Sequence, residues 1–395
     1  MPGDGMKRPI YLDHHATTPV DPRVLEAMQP WFCEDFGNAS SATHLYGWRA
    51  EAAVEAAREA LAEGIGAAEP AEIVFTSGTT EADNLALQGV LRAAVPRRDH
   101  LVTSAIEHPA VLDVARALEG EGFRVDRVPV DTRGLVDPDD VARALTDRTA
   151  LVSVMTANSE IGTIQPIREI AARCRERGVL FHTDAAQAVG KLPVDVQADG
   201  VDLLSMCAHK LYGPKGVGAL YVRAGRPKVR LRPLLYGGGH ERGLRPGTLP
   251  VPLIVGFARA LSLAREDLSE EAARLRALRD WLQSRLAGAL DEVYVNGDPE
   301  RRLPGNLNLS FVGVDADRLL PALPELALST GSACASGSGE PSHVLAALGL
   351  PKRRVRSAVR FGLGRGNDRA QIERAAERVI EEVSRARRTV PLERD

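Results

Sequence analysis

The stretch Val179-Leu180-Phe181-His182-Thr183-Asp184, followed by Asp202-Leu203-Leu204-Ser205 and then His209-Lys210-Leu211-Tyr212-Gly213-Pro214-Lys215-Gly216, decides the fold. Two short apolar runs, Val179 to His182 and Asp202 to Ser205, each lead into a residue able to carry chemistry, Asp184 after the first and Lys210 after the second. Short apolar runs bounded by Gly and Pro are the signature of buried strands. Outward from this pair the texture repeats. Glu72-Ile73-Val74-Phe75, Leu101-Val102-Thr103 and Leu151-Val152-Ser153-Val154 are strand-like. Val141 to Leu145 and Ile167 to Arg177 show helical spacing, the second closed by Gly178 where a left-handed cap is expected. Strands alternating with helices from about residue 70 to 225 imply βαβ units and a mainly parallel sheet.

After the Gly/Pro-rich stretch Gly237 to Pro252 the pattern changes to a long helical run from about Ile254 to Ala289, where the domain boundary is expected. Beyond it, Leu307-Asn308-Leu309-Ser310-Phe311, Val359-Arg360-Phe361 and a charged helix from about Asp368 to Arg388 indicate a small α+β domain. The division expected is a large domain of residues 16–258 and a small domain of residues 1–15 with 259–395.

The chain has 395 residues, 44% hydrophobic and 26% charged, with a formal charge of -3, so no global field argues for nucleic acid or a membrane surface. Eighteen apolar residues never run together, and Met1 to Pro9 carries Asp4, Lys7 and Arg8 with no apolar stretch behind them, which leads us to expect a cytoplasmic protein. Cys33, Cys174, Cys207 and Cys334 stand far apart without a C-x-x-C pair. Neither a disulfide framework nor a thiolate metal site is expected.

Asp184 and Lys210 together suit pyridoxal 5′-phosphate (PLP). An amine holds its aldehyde as a Schiff base, and a carboxylate keeps its pyridine nitrogen protonated so that the ring draws electrons. A lysine after a strand is ordinarily a surface residue, but His209 and the Gly-Pro-Lys-Gly turn make this one polar and close to backbone. In Thr76-Ser77-Gly78-Thr79-Thr80-Glu81 a strand breaks at Gly78 and a helix starts with hydroxyl caps, either a phosphate cradle or an ordinary helix cap. His209, Thr248 and Gly237-Gly238-Gly239 are further phosphate candidates. His108 either stacks on the ring and moves protons or is a structural histidine. Cys334 sits in Ser329-Thr330-Gly331-Ser332-Ala333-Cys334-Ala335-Ser336-Gly337-Ser338-Gly339, small residues that suggest an accessible loop in which a thiolate reaches substrate. Cys174, on a helical pattern, is expected to be structural.

At these residues the chain resembles the cysteine desulfurases of the NifS/IscS kind, within the class V aminotransferase group of fold-type I PLP enzymes. The resemblance runs through Tyr11-Leu12-Asp13-His14-His15-Ala16-Thr17-Thr18-Pro19, Phe36-Gly37-Asn38, Ser77 to Asn84, Asn158-Ser159-Glu160-Ile161-Gly162, Asp184-Ala185-Ala186-Gln187, the Lys210 segment, Arg242 to Pro250, Gly331-Ser332-Ala333-Cys334 and Arg360-Phe361. It implies a seven-stranded, mixed but mainly parallel sheet flanked by helices. Lys210 is then the Schiff-base lysine, with Asp184 on the pyridine nitrogen, Gln187 on the phenolic oxygen and His108 over the ring. Thr79, Thr80, Cys207 and His209 lie near the phosphate, and Thr248 reaches the phosphate of a second subunit, which requires a homodimer. Asn38, Asn158 and Arg360 would hold the amino-acid substrate. Cys207 stands where the family commonly has serine, Ala39 replaces a usual proline, and the C-terminal end departs from the tail that docks an iron-sulfur scaffold.

The reaction so implied takes sulfur from L-cysteine, leaving alanine and a persulfide on Cys334 that passes to an acceptor protein, an iron-sulfur scaffold or a sulfur carrier. Cys334 would touch a cluster iron only transiently. Selenocysteine lysis or another class V reaction is the alternative on the same cofactor, and a catalytically silent sulfur carrier is the alternative from another class.

Overall fold

The computed structural model describes residues 8–225, 228–330 and 342–389. Its centre is a seven-stranded sheet built from β1 (Ile73–Thr76), β2 (His100–Ser104), β3 (Arg124–Val128), β4 (Thr149–Ser153), β5 (Leu180–Asp184), β6 (Leu203–Cys207) and β7 (Gly218–Val222). The spatial order is β1-β7-β6-β5-β4-β2-β3, parallel throughout except that β7 runs antiparallel to both β1 and β6.

Two-residue alternation sends neighbouring side chains to opposite faces. Val102, Val152, Phe181 and Leu204 lie on one side, in a core shared with Val54 and Leu61 of α1 (Leu45–Gly64). Leu101, Leu151 and Leu203 pack on the other, against α2 (Thr79–Ala94) and α3 (Pro109–Gly120). Both faces are covered, which is why these strands are apolar almost without interruption. Next in the chain come α4 (Pro138–Ala144) and α5 (Ile167–Glu176); Gly178, two residues past α5, takes the left-handed conformation at φ 61°.

The helical run expected from Ile254 to Ala289 is two helices, α6 (Val251–Glu266) and α7 (Leu268–Ala289), separated at Asp267. The break has a packing reason. Phe257, Leu261 and Leu263 of α6 belong to the core under the large sheet, whereas Leu275, Leu278, Leu282 and Leu286 of α7 belong to a second core. That second core lies on the antiparallel sheet of β8 (Val293–Val295), β9 (Asn306–Phe311) and β10 (Ala358–Gly362), and it also takes in Ile372, Val379 and Val383 of α8 (Arg369–Thr389). The N-terminal strand Ile10–Tyr11 pairs in parallel with Leu326–Ala327, and Asp13 bridges to Gly362, so the start of the chain is stitched to its far end.

Candidate active site

Strand ends place the reactive groups. In the parallel β5–β6 pair Asp184 lies opposite Ser205, so both strands finish at the same sheet edge. Asp184 closes β5, and Lys210 closes the short turn Ala208–Lys210 that follows β6. Backbone also meets backbone here: a Cβ on Gly218, the first residue of β7, would fall 2.6 Å from the Gly78 Cα, so only glycine lets the start of α2 approach this edge.

Asp184 is buried and its Oδ1 accepts a 2.9 Å hydrogen bond from the Ala186 amide. Burial raises its pKa, and the nearby His108 and Lys210 pull it back. The Lys210 Nζ donates to the carbonyls of His15 at 2.6 Å and Ala16 at 2.8 Å. Burial pushes this amine below its usual range, which enlarges the neutral, nucleophilic fraction at ordinary pH. His108 is the N-cap of α3, its Nδ1 accepting from the Ala110 amide at 3.2 Å. A neutral ring therefore carries its proton on Nε2. Burial lowers the His108 pKa, with Asp184 opposing.

The phosphate side differs in detail from the hydroxyl caps expected. Gly78 is the N-cap of α2 and supplies no side-chain bond, while Thr79 and Thr80 stand inside the first turn. Among the described residues the buried Thr79 Oγ1 has no nitrogen or oxygen partner, only the Cys207 thiol beside it, and a Cβ at Gly78 would meet nothing within 4 Å. Open amides, a hydroxyl beside them and the positive end of a helix dipole fit an anion. Thr80 is exposed. Cys207, the last residue of β6, is buried, and burial pushes its thiol pKa up. The His209 Nδ1 lies 3.1 Å from the Thr17 hydroxyl, and burial brings the ring down to about 4, so it is neutral at pH 7.

The substrate candidates divide. Arg360 is 2% exposed, with Nη2 donating to Asp13 Oδ1 at 2.7 Å and Nη1 to the Ser159 carbonyl at 3.1 Å. Asn158 is buried and spends its side chain on backbone, accepting from the Glu160 and Ile161 amides and donating to the Ile106 carbonyl, two residues from His108. Asn38 and Thr248 are exposed on the protomer surface. Cys334 lies outside the described residues.

Four residues that the sequence did not single out stand in this site. Asp13 holds Arg360, His15 and Lys191 hold Gln187, and Glu107 is buried beneath His108, accepting from the Met155 amide and the Ser104 hydroxyl. Asp13 and His15 were in view within the Tyr11–Pro19 motif, but nothing local ties position 13 to position 360. Among the described residues no group of three or more His, Cys, Asp or Glu side chains is placed to hold a metal ion, and no helix is long and apolar enough to cross a membrane.

A lysine and a carboxylate at the end of a mainly parallel sheet, facing a helix start built for an anion, define a class of protein that comparison identifies. The chain belongs to the class-V aminotransferase family, whose model matches residues 10–375. It is 52% identical over 387 residues to the cysteine desulfurase IscS of Anaeromyxobacter sp. (strain Fw109-5), covering 98% of this chain and 95% of that one. It is 49% identical over 389 residues to the cysteine desulfurase of Mus musculus, covering 98% of this chain and 84% of the mouse protein. Among solved structures a NifS-like protein superposes with a TM-score of 0.89 at 38% identity, over 95% of this chain and 99% of the other. A structure described as SspA in complex with cysteine gives 0.78 at 38% identity, over 90% and 98%.

Proposed function

We propose that this protein is a PLP-dependent cysteine desulfurase that moves the sulfur of L-cysteine to its own Cys334 and releases alanine. The observation that carries the reading is Lys210, an amine of depressed pKa at a sheet edge, with Asp184 and His108 as electrostatic neighbours. The residues present fit the cofactor. Lys210 would hold it covalently, Asp184 would face its pyridine nitrogen, His108 its ring and Gln187 its phenolic oxygen. Thr79, Thr80, Cys207 and His209 would surround its phosphate, where the Thr79 hydroxyl has no oxygen acceptor among the described residues. When bound, PLP supplies the electron sink that makes an amino-acid α-proton removable.

The side chains then divide the work. Arg360 holds the substrate carboxylate in its fork, and Asn38 and Asn158 border the substrate. Lys210, its amine freed once substrate has taken its place, would take the α-proton, and His108, with its proton on Nε2, would return one. The Cys334 thiolate attacks the substrate sulfur, so that an S–S bond forms as the C–S bond breaks and its electron pair stays with the carbon skeleton leaving as alanine. The persulfide passes to an acceptor protein, an iron-sulfur scaffold or a sulfur carrier.

A homodimer completes the site by bringing Thr248 to the phosphate of the second subunit. The apolar side chains left outside in one protomer support it: Phe36 is 63% and Tyr236 83% exposed, with Phe32, Leu45 and Trp48 near Phe36 in sequence and also exposed. Two apolar cores, one running to Leu263 and the other taking in Leu12 and Leu275, support a large and a small domain with the division at Asp267, later than the expected residue 258.

Cys334→Ala is the decisive variant. It leaves the visible absorption of the holoenzyme intact and abolishes cysteine-dependent sulfide release; sustained turnover in that variant refutes the nucleophilic role.

A further inference from the structure

A second lysine enters the site. The Lys191 Nζ donates to the Gln187 Oε1 at 2.7 Å, and the same oxygen lies 3.1 Å from the His15 Nδ1. On the other side of the amide, Gln187 Nε2 donates to the His15 carbonyl at 2.9 Å. That carbonyl is also the acceptor of the Lys210 Nζ. An ammonium has only hydrogens to offer and a carbonyl only lone pairs. Turning the amide over would set acceptor against acceptor at the His15 carbonyl and, while Lys191 carries its proton, donor against donor there, so the chemistry favours one orientation.

Lys191 and Lys210 line one small cavity of about 30 Å³, together with His14, His15 and Glu271. This is far below the ~300–1,000 Å³ of small-molecule sites, so the cavity is not a second substrate pocket. Although part of the Lys191 side chain reaches the surface, its amine end is enclosed, and burial followed by the neighbouring Lys210 pushes it down to about 7. The charged and titratable groups that face it are Lys210, Cys207, Arg360 and Glu271, with His14 and His15 on the cavity wall.

We propose that Lys191 is a positioning residue: it locks the Gln187 amide with Nε2 turned toward the Lys210 side, so that one N–H stays on the His15 carbonyl and the other is presented to the cofactor's phenolic oxygen. Its charge also lies beside the cofactor-bearing amine and opposes a second positive charge there. The inference rests on the PLP reading given above and adds a residue to it.

The test is a pH titration of the visible absorption of reconstituted holoenzyme, paired with PLP affinity of the apoprotein measured by fluorescence quenching. In Lys191→Met the absorption midpoint rises by roughly half a unit to one unit, as a like charge is removed. PLP binding weakens about three- to tenfold through the loosened amide. Lys191→Arg, which keeps charge and donor, returns both values most of the way to wild type. In a Gln187→Leu background the Lys191→Met change in affinity disappears. Replacing an enclosed amine by an apolar side chain of similar length is well tolerated, and Lys191→Gln, which removes the charge and shortens the side chain, gives the same midpoint shift should the Met variant not fold. Wild-type protein that takes up no PLP overturns the functional reading and this inference with it. Wild type that takes up PLP beside a Lys191→Met protein with unchanged midpoint and affinity overturns the inference alone.

Discussion

Arg360 and Asp13, 347 positions apart in sequence, meet in a 2.7 Å ion pair at the edge of the small sheet. The guanidinium proposed for the substrate carboxylate is thus already held by a carboxylate of the chain, on a segment tied to β10 through the Asp13–Gly362 bridge. Substrate must share the fork with Asp13 or displace it. Asp13→Ala is expected to cost about 3 kcal/mol, because removing one member of an enclosed ion pair weakens the holding of the other. Saturating L-alanine should restore part of that loss in thermal unfolding, since its carboxylate takes the place of Asp13. Arg360→Lys should raise KM for cysteine more than tenfold with a smaller change in kcat, a point charge being a poor substitute for the planar fork.

Glu241 holds together the segment that leads to Thr248. Its carboxylate takes both Arg58 nitrogens, at 2.8 and 2.9 Å, and the Phe75 amide of β1 at 2.7 Å. Glu241 and Arg242 both have positive φ, 49° and 56°, a backbone that non-glycine residues rarely adopt and that these contacts keep in place. Glu241→Ala is expected to lose about 3 kcal/mol of stability in urea unfolding, as the buried Arg58 loses its two-pronged partner and keeps only the exposed Glu55 as counter-charge. Glu241→Gln should lose less, keeping acceptors for the Phe75 amide. The Ala variant should also shift the proposed homodimer toward monomer in sedimentation, with Thr248 displaced. An unchanged urea midpoint would count against this view of the pair.

Buried titratable groups give the protein opposed pH limbs. Burial holds Glu107 protonated up to about 8 and Glu160 up to about 7, whereas the unfolded chain ionises such groups near 4.5. The folded state therefore binds more protons over that interval, and these groups lose stability as pH rises from 4.5 through 7 to 8. His182 at about 3 and His14 and His209 at about 4 are depressed by burial from 6.5. Here the unfolded state binds more protons, so stability is lost as pH falls from 6.5 toward 3. The two trends oppose each other between 4.5 and 6.5, leaving a plateau there with a decline on either side. Glu107→Gln should flatten the alkaline decline by about 1 kcal/mol per pH unit, read from urea unfolding at pH 6 to 9. A variant that declines as steeply as wild type would show that Glu107 ionises in the native state.

Much of the site was legible because its residues announce themselves at strand ends. Asp184 and Lys210 each follow an apolar run, and the run fixes where they emerge. Thr79 does stand at a helix start, as its sequence setting implies, but Gly78 rather than a hydroxyl residue occupies the cap position. With Gly78 in that position, the Thr79 hydroxyl has no nitrogen or oxygen partner among the described residues, which suits the anion proposed there. The break at Asp267 was invisible, since helical spacing continues across it and only the existence of two cores forces the chain to turn its apolar face.

Short uninterrupted apolar runs, glycine and proline between them, and chemically distinctive residues after them determined the layered α/β architecture, because each is a local property that a few neighbours decide. The pairing of Asp13 with Arg360, the amide of Gln187 set between Lys191 and His15, and the burial that moves Lys210, Glu107 and Lys191 from their ordinary pKa values were decided by tertiary structure alone. Electrostatic environment depends on what packs around a group from every side. Those neighbours come from hundreds of residues away, and no window along the chain contains them.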